Sequence, residues 1–245
     1  MTRLVLLALT AAVGCTHPSP SSDARKSRDS AAVSPGVSLD AVTWSIVQDS
    51  EGLTLLDGGG WRLRRDDGLE LELYEGFLVV YTLVLESCDE PAARTPPPHG
   101  LPDHPSRTLT PIALSLHQLT PATLGGASFE SMPFCEVGLT LFRGEAGDPG
   151  MPLDGSMDGL SFSMAGAVRS SPDSEWAPLE LSSYLSVERD LPLVGDVSGE
   201  GAVTVVLRPA QMFAGLSLDG NPERLALDAM ANLADSATVV LSAAR

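Results

Sequence analysis

From Leu69 to Leu85 the chain reads LELELYEGFLVVYTLVL, and this run constrains the fold more than any other feature. Leu69, Leu71 and Leu73 alternate strictly with Glu70, Glu72 and Tyr74. A helix would scatter those leucines around its circumference, whereas a strand places them on one buried face and the acids on one wet face. Beyond Gly76, the residues Phe77, Val79, Tyr81, Leu83 and Leu85 continue the alternation, while Leu78, Val80 and Val84 make the opposite face apolar too. The second half is therefore expected to be a central strand covered on both sides. Gly76 between the halves marks a bulge or bend.

Further strand patterns fall at residues 41–47, with Trp44 as a core anchor, and at 53–56 and 61–65 around the turn Gly58-Gly59-Gly60. Later ones fall at 109–116, 136–143, 160–168, 179–187, 202–208 and 238–243. Short strands separated by Gly, Pro and Asp turns define the expected fold class. It is mainly β, an antiparallel β-sandwich or distorted barrel with one or two short helices near the C-terminus. The helices are placed by Pro209, which opens one or two turns, and by Asn221-Pro222-Glu223. In the latter, Asn is the N-cap, Pro fits the first helical position and an acid meets the positive first turn. Leu225, Ala229, Met230 and Leu233 then form one apolar stripe over residues 222–234.

A net charge of −17 argues against nucleic-acid binding, because phosphate contacts need clustered Lys and Arg. No interior apolar run reaches the ~18–20 residues of a spanning helix, which excludes a helical channel or transporter. H-E-x-x-H, G-x-S-x-G, phosphate-binding and dinucleotide-binding motifs are all missing, so nothing supports catalysis and the expectation is a non-enzyme. The Asp-rich segment 147–159 lacks the ligand order of a Ca²⁺ loop and reads as a turn.

At the N-terminus, Met1-Thr2-Arg3 precedes an apolar stretch from Leu4 to Val13, then Gly14 and Cys15. That layout is a secretory signal over residues 1–14, too short to cross a membrane. Ala12-Val13-Gly14-Cys15 resembles the lipobox of bacterial lipoproteins, which implies lipidation of Cys15; an ordinary cleavable signal with an incidental Cys is the alternative. By the same resemblance, Thr16 in place of Asp implies outer-membrane anchoring, facing the periplasm or the cell surface, with the bilayer as partner. Residues 15–37 then form the lipidated Cys and a Ser/Pro-rich tether, and residues 38–245 one sandwich-like domain.

Cys88 and Cys135 remain, an even number in an oxidising compartment, so a disulfide is expected, with a metal-thiolate pair as the alternative. Between them lies DEPAARTPPPHGLPDHPSR (89–107), whose six prolines forbid a regular ladder. His99 and His104 sit in this excursion and His117 follows it, while Met132 comes three residues before Cys135. Imidazole suits copper and zinc, and thioether adds affinity for Cu(I), so these four residues are the candidate metal ligands. As plain structure, His99 and His104 are exposed loop residues and His117 ends a strand.

The Cys15 leader, the C…H…H…C excursion and the late strand–helix–helix–strand ending resemble uncharacterised exported β-rich lipoproteins. They are similar, more loosely, to the MbnP-like lipoproteins of methanobactin loci, which implies a periplasmic copper-linked role beside a partner haem enzyme. The expected function is therefore a membrane-anchored, non-catalytic binding module for copper or another transition metal. A structural or interaction lipoprotein of the envelope, with an envelope protein partner and no metal site, is the alternative.

Overall fold

The computed structural model describes residues 36–88, 106–108 and 110–244. The signal at 1–14, Cys15, most of the tether, His99 and His104 lie outside the described residues. Among the described residues, eleven strands and one α-helix follow in order. They are β1 (Val37–Gln48), β2 (Leu53–Leu55), β3 (Trp61–Arg64), β4 (Glu70–Ser87), β5 (Ile112–Ser115) and β6 (Ala122–Leu141), then β7 (Phe162–Arg169), β8 (Ala177–Ser183), β9 (Val187–Pro192) and β10 (Gly199–Leu207). A 3-10 turn (Pro209–Gln211), α1 (Pro222–Asp235) and β11 (Thr238–Ala243) complete the chain.

All strands join one curled sheet with the path β11-β10-β1-β6-β4-β3-β2; β5 and β7 also pair β4, β8 pairs β7, and β9 pairs β6. The fold is thus mainly β, with one helix near the C-terminus and a half-barrel curl. Each ladder is antiparallel except β1 with β10, which runs parallel from Leu39 opposite Gly199 to Gln48 opposite Leu207. This makes the sheet mixed, a long-range pairing that no local pattern announces.

β4 runs unbroken for 18 residues, but its phase changes twice. Register shifts fall between Leu73 and Glu75 against β7, and between Val80 and Thr82 against β6. Leu71 and Leu73 enter the core, then Leu78 and Val80, then Leu83 and Leu85. The alternation from Phe77 to Leu85 is therefore not one continuous face: each bulge adds a residue and turns the inward set over. The far side of the strand is apolar as well, since Val79 packs with Ala113 and Met157 beneath the loop around residues 144–160. In that loop Asp148 accepts from the Glu145 amide (2.8 Å) and Asp154 from the Ser156 amide (2.9 Å), so the acids close turns.

The interior of the curl holds Trp44, Trp61, Phe134, Phe162 and Phe213, each at most 1% exposed. Trp61 Nε1 donates to the Leu116 carbonyl at 2.9 Å, which satisfies its polar edge in the core. Helix α1 lays Leu225, Ala229, Met230 and Leu233 on this interior beside β8 and β9. Its start is as the sequence expects: the Asn221 side chain accepts from the Arg224 amide at 3.0 Å and Pro222 takes the first position. Residues 179–187, expected as one strand, divide into β8 and β9 around a turn at Tyr184–Ser186.

Candidate ligand site at the disulfide end

The end of β4 and the middle of β6 are held in register by the ladder, with Glu86 opposite Glu136 and Ser87 opposite Phe134. That register delivers Cys88 and Cys135 to one another, and they form a disulfide with a Cα–Cα distance of 5.0 Å. The pairing expected from the cysteine count is present, and oxidised sulfurs leave no thiolate pair for a metal.

The chain leaves β4 at Cys88 and returns at Ser106 against the same strand. The Leu85 amide donates to the Ser106 carbonyl (3.3 Å), the Ser106 hydroxyl donates to the Leu85 carbonyl (3.2 Å), and the Thr108 amide donates to the Leu83 carbonyl (2.9 Å). Residue 107 forms a bridge with Val84. Both roots of the excursion 89–105 therefore stand within a few residues of each other on β4, beside the disulfide.

Three carboxylates meet between those roots and β9. Glu86, Glu136 and Asp190 place one oxygen each within 4.8 Å of the others. They come from three adjacent strands, because β6 pairs β4 on one side and β9 on the other, with Gly138 opposite Asp190. Gly138 leaves room for Glu86, since a Cβ there would fall 2.8 Å from Glu86 Oε1. Sequence reasoning passed over these acids, yet the expected disulfide already implied part of the group, because Glu86 and Glu136 stand two and one residues from the two cysteines. All-carboxylate donors suit hard cations such as Mg²⁺ or Ca²⁺; copper and zinc prefer imidazole or thiolate.

Of the candidate ligands, His117 and Met132 fall on described residues, and the structure does not bring them together. His117 sits in the turn after β5, its Nδ1 3.3 Å from the Gly76 backbone and 3.1 Å from the Ser115 hydroxyl, with its ring edge-on to Phe77 at 5.6 Å. Met132 lies opposite Leu39 on β6 and packs, half-buried, on the core near the disulfide. Gly76 and Ser87 are 11 residues apart on β4, roughly 35 Å of strand at about 3.3 Å per residue. Metal–ligand bonds are about 2 Å, so no single ion bridges the two.

A separate ion-pair lattice covers the outer face of β3, β4 and β7. The Arg62 guanidinium grips Glu72, whose other oxygen accepts from the Tyr74 hydroxyl at 2.6 Å, and Arg169 grips Glu70. Trp176 lies 4.6 Å from the Arg169 guanidinium and 5.6 Å from that of Arg62. Burial would raise the Glu72 carboxyl, but hydrogen bonds from Tyr74 and Arg62 outweigh it and hold the group below the usual range. Every strong donor in this lattice is already engaged, which makes it a structural brace.

No protein-family model matches the chain, and no curated protein matches it. Among solved structures, MbnP from Methylosinus trichosporium is similar over 78% of this chain and 82% of its own, with 14% identity and a TM-score of 0.33. At that score the likeness transfers neither ligand nor residue role.

Proposed function

We propose that the protein is an exported, lipid-anchored binding module, without catalytic activity, that takes one transition-metal ion, copper or zinc, on the imidazoles of His99 and His104. The observation that supports this reading is the closed root of the excursion. The disulfide and the 83–85/106–108 ladder fix both ends of a His-bearing, Pro-rich segment at one place on a rigid sheet. Fixed ends cut the ordering entropy that two loop ligands must otherwise lose when an ion draws them together. Loops held on a β scaffold are a common location for binding groups.

The reading rests on His99 and His104 alone: His117 stands beside Gly76, roughly 35 Å along β4 from Ser87, and Met132 packs on the core. The carboxylates Glu86, Glu136 and Asp190 lie next to the excursion root and offer oxygen donors in place of imidazole.

The test is calorimetric titration of untagged protein with Cu(I), Cu(II) and Zn²⁺. The reading expects one ion per chain with a dissociation constant below about 10 µM, a favourable free energy of roughly 7 kcal/mol. His99→Ala with His104→Ala should abolish binding, and His117→Ala should leave it unchanged. Failure of all three ions to bind removes the metal reading.

A further inference from the structure

We propose that β11 is the docking edge for a second copy of this chain, the two β11 strands lying antiparallel so that one sheet runs through both molecules. β11 ends the path of the sheet and pairs β10 alone. The Ala244 amide donates to the Glu200 carbonyl at 3.1 Å, which makes positions 244 and 200 a hydrogen-bonded pair. Such pairs alternate along an antiparallel ladder, so Thr238, Val240 and Ser242 also bond β10. Val239, Leu241 and Ala243 then turn their amides and carbonyls to the outer edge, where no other described residue bonds them.

Among the described residues, β11 is also the edge that carries no guard. Edge strands avoid pairing by being short or irregular, or by carrying charge or proline. β2 and β5 have only three and four residues. β8 contains Pro178 and Glu180, and β9 contains Glu188, Arg189, Asp190 and Pro192. The stretch 122–132 of β6 carries Gly125, Gly126 and Glu130 and shifts register against β1. β11 reads Thr-Val-Val-Leu-Ser-Ala, without charge, Pro or Gly, and keeps one register along β10. Its Val240 is 52% exposed.

A second copy fits this edge because the strand complements itself. With Leu241 of one copy opposite Leu241 of the other, each Val239 meets an Ala243, and every such pair exchanges two hydrogen bonds. Charge follows the same symmetry. Glu200 flanks the Ala244 end of β11, and Arg208 reaches Thr238 Oγ1 at 3.3 Å at the opposite end. In the antiparallel register Ala244 stands opposite Thr238 of the other copy, so each Glu200 faces the end that bears the other copy's Arg208. Over the rest of the surface a net charge of −17 makes two copies repel, which leaves an uncharged edge as the place of approach. The contact falls short of the ~1,200 Å² of a standard interface, so the expected dissociation constant is about 10–100 µM.

Sedimentation equilibrium of the full chain, in a density-matched detergent with more micelles than chains, measures the association. A monomer–dimer equilibrium is expected with nothing larger, because the two-fold pairing uses the edge of each chain. Ala243→Pro removes an amide that faces outward and spares the β10 ladder, so the melting temperature should stay within about 2 °C. The dimer loses two hydrogen bonds in this variant and should weaken about tenfold or more. Val240→Glu sets two carboxylates diagonally across the dyad and should weaken it about threefold or more; it keeps the test decisive if the proline variant does not fold. A chain that stays monomeric up to about 200 µM, or a dimer that neither substitution weakens, overturns the proposal. A monomer that binds an extended Val/Lys peptide through an Ala243→Pro-sensitive contact gives β11 to a foreign strand and overturns the self-pairing as well.

Discussion

Removing the disulfide by Cys88→Ala with Cys135→Ala tests how much of the body depends on its one covalent brace. The bridge closes a separation of 47 residues, and a loop of that length carries about 4 kcal/mol in the chain-entropy treatment. The cysteines lie where the β4–β6 ladder ends, with the Cys88 amide on the Pro133 carbonyl at 3.3 Å as its last bond. β1 still holds β6 at Phe134, and residues 106–108 still hold β4 at Leu83 and Leu85, so the cut acts on the unfolded chain more than on native contacts. For a body of this size a loss of about 4 kcal/mol lowers the melting temperature by roughly 10 °C. Urea denaturation followed by tryptophan fluorescence is suitable, because Trp44 and Trp61 are both buried. The variant should lose about 4 kcal/mol of unfolding free energy and retain its far-UV spectrum. A loss under about 1 kcal/mol would refute the reasoning, since the unfolded chain would then gain almost no freedom from the cut.

The remaining expectations concern single side chains. Glu72 is held below the usual carboxyl range in the folded state, so its stabilisation is present above about pH 4.3 and is lost as pH falls through its folded value. Glu72→Gln should remove that part of the acid sensitivity, read as a smaller difference between urea midpoints at pH 6 and pH 3. Gly60→Ala should destabilise by about 2 kcal/mol or more, because φ is +84° there and a Cβ would run into the Leu73 carbonyl; a thermal melt within 2 °C of wild type would contradict it. Asn221→Ala should cost about 1 kcal/mol through the lost cap on α1, while Asn221→Gly should cost only a few tenths, both measured by urea titration.

Local patterns announced most of the strands, and their failures have physical causes. The stretch 122–131 shows little hydrophobic contrast because it pairs β1 with mostly small or exposed side chains, and Gly125-Gly126 reads as a turn. The boundary between β8 and β9 is hidden because Leu179, Leu181 and Val187 keep the beat of a strand while the intervening turn contains neither Gly nor Pro. The phase changes in β4 are invisible for a related reason: with both faces apolar, a bulge swaps one hydrophobic residue for another. At the site, cysteine arithmetic predicted the bridge, because pairing two thiols needs no other context. Asp190 could not be foreseen beside Glu86, since their proximity depends on β6 pairing β9 on its second edge.

X-ray absorption at the metal edge of protein loaded with one equivalent of copper or zinc asks most directly what holds the ion. Two imidazole rings should appear in the scattering, at about 2.0 Å, and should vanish in the His99→Ala/His104→Ala variant. An all-oxygen shell, unchanged in that variant, would move the ion to the carboxylates of Glu86, Glu136 and Asp190 and contradict the account.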